Sequence, residues 1–166
     1  MIVFNIMNNL INKIKYLLGE DQNQIRIFKE GGISQTEYGK SSEKISREFL
    51  ELINKYGFPY KNVAPEDIYR GGVTLSLHLD LDNMKKIFDS YLKSASEEEL
   101  DNDHKAIFTD KIRVLSGLPQ LYGTQFKVRE NKEIELLPVE DEDNLEKRRQ
   151  EAGLKPLHEY LRLLKS

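Results

Sequence analysis

The sequence contains no cysteine and no long uninterrupted apolar run. Without cysteine the chain forms no disulfide, performs no thiol chemistry and offers no thiolate to a metal, which fits a reducing compartment. A membrane span needs about 20 consecutive apolar residues, whereas the apolar N-terminal segment is broken by asparagines and lysines. That segment also lacks the basic start and the small-residue cleavage site of a signal peptide. We therefore expect a cytoplasmic protein that makes no membrane contact.

The sequence also lacks an excess of basic residues. It has 25 lysines and arginines against 28 aspartates and glutamates, and its formal net charge is -3. Because acids and bases are interspersed, no basic surface for nucleic acid is expected. The length of 166 residues is sufficient to bury a core and predicts a single domain over residues 1–166.

The usual metal, phosphate and nucleophile motifs are absent as well. The three histidines do not form His-x-x-x-His or His-Glu-x-x-His, which are spacings typical of zinc sites. Asp80 and Asp82 resemble the start of a calcium loop, but the glycine and the glutamate that complete such a loop are missing. Neither glycine pair continues into a phosphate-binding loop, and there is no Gly-x-Ser-x-Gly. We therefore expect no metal and no cofactor.

Apolar periodicity predicts a mainly α fold, a compact helical domain with a small β-hairpin in the C-terminal third. The hairpin is expected over residues 125–129 and 133–139, with a turn at 130–132. Leucines alternate over residues 75–81, which alone would suggest a strand, but the apolar residues after them return to helical spacing and favour a helix. The predicted helices are 1–18 with a continuation to 28, 42–56, 68–92, a region from a capping box at 96–99 to 117, 144–151, and a last one from 156.

The N-terminal helix over residues 1–18 is amphipathic and is expected to lie at the periphery of the domain. Its apolar side and the interspersed charge predict a monomer, or a weak dimer formed through one stripe of side chains. The stripe consists of Ile6, Leu10, Ile14 and Leu17.

Two ionisable residues stand in apolar surroundings. His78 lies among leucines, in a segment predicted to be helical, and histidine is the usual proton-transfer residue near neutral pH. Asp110 is flanked by Phe108 and Ile112, and a carboxylate there needs a partner because an unpaired buried charge is costly. Each can serve structure instead, His78 by bonding a backbone carbonyl and Asp110 by pairing with an arginine or lysine. If their helices face each other, His78 and Asp110 form a catalytic couple.

The densest group of neutral polar side chains follows the helix that carries Asp110. Residues 117–125 combine two glycines and a proline with amides, a phenol and a hydroxyl. A turn requires glycine and proline, but it does not require the polar side chains around them. The segment is either a loop that ties itself down by side-chain hydrogen bonds or a site that binds a polar ligand. The candidate substrate-binding residues in it are Gln120, Tyr122, Thr124 and Gln125.

An acidic run over residues 140–143 precedes the bases of residues 147–149. Acids at the start of a helix and bases in its later turns suit the helix dipole, and a solvated face is the simplest explanation. Neighbouring arginines point about 100° apart on a helix, so at most one of Arg148 and Arg149 is expected to face a shared site.

Several short motifs together resemble the bacterial family catalogued as Domain of Unknown Function 6624, with order and spacing that hold from about Asp21 to the C-terminus. The most specific is Gln-x-Tyr-Gly-Thr-Gln at 120–125. The others are Gly57-Phe58-Pro59, Leu77-His78-Leu79, Asp110-Lys111-Ile112, Pro138-Val139-Glu140-Asp141 with Asn144 and Arg148-Arg149, and Gly153-Leu154-Lys155-Pro156-Leu157 with Tyr160-Leu161.

The chain departs from the family at four places. Phe58 replaces a tryptophan, Leu77 a glutamine and Lys111 an arginine, and Asp21-Gln22 lies one residue too far from Arg26. The resemblance implies that His78, Asp110 and the loop belong to one site. It adds Asp141 and Arg149 to the substrate-binding candidates, and it implies no particular reaction.

Two functions follow from these features. In the first, the chain is an enzyme, a hydrolase of a small molecule or peptide, with His78 as general base or acid and Asp110 orienting it. The polar loop would then bind the substrate or stabilise an oxyanion. In the second, the chain is a non-catalytic binding or immunity-type accessory protein, whose partner is a protein and whose loop is a rigid structural element.

Overall fold

A computed structural model describes residues 2–94, 101–128 and 133–164, and the side chains within 7–93, 101–128 and 133–163. Contacts divide the chain into two compact units, unit 1 (Met1–Asp80) and unit 2 (Leu81–Ser166). The assignment of the whole chain to a single domain stays a prediction. In the described ranges, no helix is both long and apolar enough to cross a membrane.

The mainly α fold and its small hairpin are confirmed. The hairpin pairs β1 (Phe126–Val128) with β2 (Ile134–Leu136) in antiparallel register, while its predicted turn and the capping box at 96–99 lie outside the described residues. The helices are α1 (Ile2–Lys29), α2 (Gln35–Tyr56), α3 (Glu66–Ser76), α4 (Leu81–Ser94), α5 (Asn102–Leu115), α6 (Leu145–Glu151) and α7 (Leu157–Leu164).

Unit 1 is built on α1, which packs against α2 and α3. The helix continues past Gly19 to Lys29, as the periodicity predicts. Leu10, Ile14 and Leu17 are 0–2% exposed. Three of the four side chains on which the dimer prediction depends are therefore already buried within the protein. The peripheral position of the first helix and the monomer or weak dimer stay predictions.

The helix α2 begins at Gln35 rather than at residue 42, because a capping box starts it. The Ser34 hydroxyl accepts a hydrogen bond from the Glu37 amide at 3.3 Å, and the Glu37 carboxylate accepts one from the Ser34 amide at 2.8 Å. The Ser34 amide also lowers the pKa of Glu37. The Ser-x-x-Glu pattern is visible in the sequence and predicts this earlier start.

The segment predicted as one helix over residues 68–92 is helical, but it is broken into α3 and α4. Between them the His78 amide donates to the Leu75 carbonyl and the Leu79 amide to the Ser76 carbonyl, at 3.2 and 3.3 Å. This three-residue spacing is tighter than that of an α-helix and closes the end of α3. The prediction that His78 lies within a helix is therefore wrong, since it lies in the turn that follows α3.

In unit 2, α4 packs against α5 through aromatic rings. The rings of Phe88 and Phe108 stack with centroids 5.1 Å apart. Beyond the end of α5 the chain forms an isolated parallel bridge between Gln120 and Val139. This bridge and the hairpin place residues 117–125 against the segment that leads into α6.

Candidate functional site

Asp110 on α5 anchors the segment 117–125, which we call the Gln/Tyr loop. Its side chain is fully buried, yet its carboxylate accepts hydrogen bonds from three backbone amides of the loop. The amides of Leu121 and Tyr122 donate to Oδ1 at 2.7 and 3.0 Å, and that of Thr124 donates to Oδ2 at 3.0 Å. The Thr124 hydroxyl adds a bond of 2.9 Å to Oδ2. These donors replace the lost water and fix the path of the loop.

Three arginines hold carbonyl groups of the same loop. Each uses a guanidinium N–H, so a charged donor meets a backbone acceptor. The Arg113 side chain also forms an ion pair with Glu140. The bonds to the loop run from Arg113 to the Pro119 carbonyl at 2.7 Å, from Arg148 to the Leu121 carbonyl at 3.0 Å, and from Arg149 to the Tyr122 carbonyl.

The prediction that at most one of Arg148 and Arg149 faces a shared site is wrong. Both side chains bind the Gln/Tyr loop, Arg148 through the Leu121 carbonyl and Arg149 through the Tyr122 carbonyl that follows it. Arg149 is 2% exposed, and burial lowers its pKa against the opposing influence of Glu146. Its guanidinium also lies 5.3 Å from the centroid of the Tyr160 ring.

The amide side chains of the loop bind the protein's own backbone. Gln120 is fully buried. Its Nε2 donates to the carbonyls of Gln125 and Leu137, and its Oε1 accepts from the Gln125 amide, each at 2.8 Å. The Gln125 Nε2 donates to the Thr124 hydroxyl at 3.2 Å. These bonds give Gln120, Thr124 and Gln125 a clear structural role, and their substrate-binding role stays a prediction.

The other two candidates are more accessible. Tyr122 is half-buried, and it lines a cleft beside α5. Asp141 is exposed, with a left-handed backbone at φ 50°, and its carboxylate accepts from the Asn144 amide side chain at 2.8 Å. Its carbonyl accepts from Arg148 at 2.9 Å. The substrate-binding role of both residues stays a prediction.

Gly123 lies in the Gln/Tyr loop between Tyr122 and Thr124, and its backbone is left-handed, with a φ of 70°. A Cβ here would lie 3.3 Å from Leu157 Cδ1. We expect Gly123→Ala to lower the free energy of unfolding by about 1–2 kcal/mol, because alanine is strained at positive φ. Urea unfolding measures the loss.

A matched control for this change is Gly19→Ala in α1, where a Cβ would meet no atom within 4 Å. Alanine should stabilise that helix by up to about 1 kcal/mol. Equal effects of the two substitutions would mean that the loop does not require the left-handed conformation at Gly123.

His78 finds its carboxylate partner inside unit 1. Its Nδ1 lies 2.9 Å from Oδ1 of Asp21, a residue of α1. The Asp21 side chain is 3% exposed and that of His78 is 30% exposed. The other carboxylate oxygen of Asp21 accepts a bond from the Gln22 side chain at 3.1 Å. A buried carboxylate thus orients a partly exposed imidazole ring.

The surroundings of this couple are polar as well. The Ser46 hydroxyl donates to the His78 carbonyl at 3.2 Å and so fixes the backbone that carries the ring. Burial, and secondarily the charge of Asp21, raise the pKa of the Tyr38 phenol. That phenol therefore stays protonated at neutral pH.

The predicted couple of His78 with Asp110 joins residues of different units, and it stays a prediction. Each residue has other partners in its own unit, Asp21 for His78 and the Gln/Tyr loop for Asp110. In the described part of the chain, no group of three or more histidines, aspartates and glutamates could hold a metal ion.

Sequence reasoning missed Asp21 as the partner of His78, although a signal was present. Leu10, Ile14, Leu17 and Asp21 follow one another at spacings of four, three and four residues. Residues at this spacing lie on one face of a helix. A carboxylate that continues an apolar stripe needs a polar partner in the core, and His78 meets that need.

One comparison with known proteins identifies a family. Residues 48–166 match the model of a family of unknown function, DUF6624. The match covers more than half of the chain, so the chain belongs to this family. It includes His78, Asp110 and the Gln/Tyr loop, and it begins after Asp21. No curated protein and no solved structure matches the chain.

Proposed function

We propose that this member of the DUF6624 family is a hydrolase of a small molecule or peptide in which His78 is the general base and Asp21 orients it. The observation that carries the proposal is the 2.9 Å contact between His78 Nδ1 and Asp21 Oδ1. Asp21 precedes His78 by 57 residues in the sequence, and its buried carboxylate makes this contact.

In this proposal the two nitrogens of the imidazole ring have different tasks. An ionised Asp21 can only accept, so the neutral imidazole donates its Nδ1–H to it and leaves the lone pair of Nε2 free. With 30% of the side chain exposed, the ring remains accessible to water. A buried aspartate that holds a histidine in one tautomer is the arrangement that general-base catalysis uses.

The reaction follows from that arrangement. A water molecule attacks the electrophilic carbon or phosphorus of the substrate while Nε2 takes up one of its protons. The imidazolium that forms is stabilised by the negative charge of Asp21. The same proton then passes from Nε2 to the leaving group as its bond to the substrate breaks, and the ring returns to its neutral form.

The experiment that tests this proposal is an activity screen of the purified chain against carboxylic esters, phosphate esters and peptides. We expect turnover of one class, loss of that turnover in His78→Gln, and its retention in His158→Gln. His158 is an exposed histidine of α7, so it controls for the chemical change. Turnover in none of the classes, or turnover that survives His78→Gln, would contradict the proposal.

A second candidate function is a non-catalytic binding protein, including an immunity-type accessory protein. The hydrogen bonds of the Gln/Tyr loop favour it, because the carboxylate of Asp110 and the side-chain amide of Gln120 already bind backbone groups of the protein. A loop held in this way is a rigid support for a protein interface. The same screen separates the two functions, since a binding protein gives no turnover that depends on His78.

A further inference from the structure

Unit 2 contains a cleft of about 460 Å³, and neither His78 nor Asp21 is among the residues that line it. Its size falls in the range of pockets that hold a small molecule, about 300–1,000 Å³. The wall is formed by the first half of α5, one residue of the Gln/Tyr loop and the C-terminal end of α6. The residues that line it and enter the argument are Asn102, Lys105, Thr109, Tyr122, Glu151 and Gly153.

The polar groups of the cleft differ from those of the loop behind it, because several are uncommitted. Between the residues that the structure describes, no hydrogen bond or ion pair uses the side chain of Lys105, Thr109 or Tyr122, and Tyr122 bonds there only through its backbone. By contrast, Asp110 and Arg149 are buried and form hydrogen bonds with the backbone. Polar side chains that line a cavity can fix the orientation of a polar ligand.

The charges indicate which ligand fits. Lys105 is a cation with no described partner, whereas the acid of the lining, Glu151, lies 3.9 Å from Lys147. The Tyr122 and Thr109 hydroxyls can each donate to an oxygen. A ligand with an anionic group near Lys105 and further oxygen acceptors would satisfy all three side chains.

The wall that presents Tyr122 is preorganised. Its amide is held by Asp110 at 3.0 Å and its carbonyl by Arg149, so binding would order little additional backbone. Gly153, which also lines the cleft, has a φ of 68°, and a Cβ there would lie 2.8 Å from the side-chain nitrogen Nδ2 of Asn102. Glycine at this position therefore leaves room for the Asn102 side chain at the cleft.

We infer that this cleft binds a small organic anion, a carboxylate or phosphate compound of metabolite size, through Lys105, Thr109 and Tyr122. The inference goes beyond the proposed hydrolase, because none of these residues belongs to the His78–Asp21 couple. In this inference the buried hydrogen bonds of the Gln/Tyr loop serve to hold the Tyr122 side chain at the cleft.

The test is a ¹H–¹⁵N NMR titration of the full chain with citrate and with sodium phosphate, and with glycerol as a neutral comparison. We expect saturable shifts of the amides that line the cleft with citrate or phosphate, and none with glycerol. Stronger binding of citrate would assign the site to carboxylates, and stronger binding of phosphate would assign it to phosphate compounds.

Variants make the test specific. Lys105→Gln should weaken binding by about tenfold or more, since a charge-assisted hydrogen bond contributes at least that factor. Tyr122→Phe should weaken it by a smaller factor while leaving the backbone bonds of the loop in place. Lys86→Gln, which changes an exposed lysine of α4, should have no effect. The inference would be overturned if neither anion saturated the cleft at concentrations up to about 10 mM, which corresponds to very weak binding. It would also be overturned if Lys105→Gln bound the anions as tightly as the unchanged protein.

Discussion

Asp110→Asn is expected to lower the free energy of unfolding by about 3 kcal/mol or more, because at least two hydrogen bonds to a charged group, each contributing about 1.5–3 kcal/mol, lose their acceptor. Asparagine keeps the shape of the side chain but loses its charge, and it turns an N–H₂ group toward donors. The Thr124 amide and hydroxyl, which donate to Oδ2 at 3.0 and 2.9 Å, would then face a donor instead of an acceptor. Urea unfolding, followed by the NMR signals of the Gln/Tyr loop, measures the loss.

The matched control is Asp89→Asn, the same chemical change at an exposed position of α4. Surface substitutions of this kind alter stability by about 0.5 kcal/mol or less. If Asp110→Asn also cost less than about 1 kcal/mol, the loop amides would not depend on the carboxylate. The loop would then be fixed by its arginines and by Gln120.

Asp21→Asn is expected to reduce kcat by about 10⁴-fold for the substrate class found in the screen, with little change in KM. The reason is that an amide can hold the imidazole in the wrong tautomer, and it cannot stabilise the imidazolium that forms in the reaction. Steady-state kinetics at saturating and limiting substrate separate kcat from KM.

Asp67→Asn provides the control in unit 1. Asp67 is an exposed carboxylate 3.6 Å from Lys15, and its loss should leave kcat unchanged. If Asp21→Asn destabilised the protein but kept kcat, the couple would serve only to join α1 to the turn that carries His78. The proposed catalytic role would then be wrong.

Most of the fold could be predicted because apolar spacing and capping residues are local signals. The stripe of Leu10, Ile14 and Leu17 indicates α1, and Gly57 marks the end of α2. The break between α3 and α4 was missed because the leucines around His78 continue an apolar pattern through the turn. Only the three-residue hydrogen bonds of that turn reveal it.

The candidate site could be predicted in part. The apolar neighbours of Asp110 indicate that its carboxylate needs hydrogen-bond donors. The loop that supplies these donors comes directly after the helix that carries Asp110. The donors are mostly backbone amides, which every residue possesses, so side-chain chemistry could not identify them. The contact of His78 with Asp21 spans 57 residues, and such a pairing depends on how helices pack rather than on any local pattern.

The tautomer of the His78 ring tests the central claim most directly. In histidine-labelled protein, two-bond ¹H–¹⁵N correlations distinguish a proton on Nδ1 from one on Nε2 in the neutral ring. The account predicts that the neutral His78 carries its proton on Nδ1, facing Asp21, and that Asp21→Asn removes this preference. A neutral His78 with its proton on Nε2 would have no proton to donate to the carboxylate and no free lone pair toward water, and it would contradict the account.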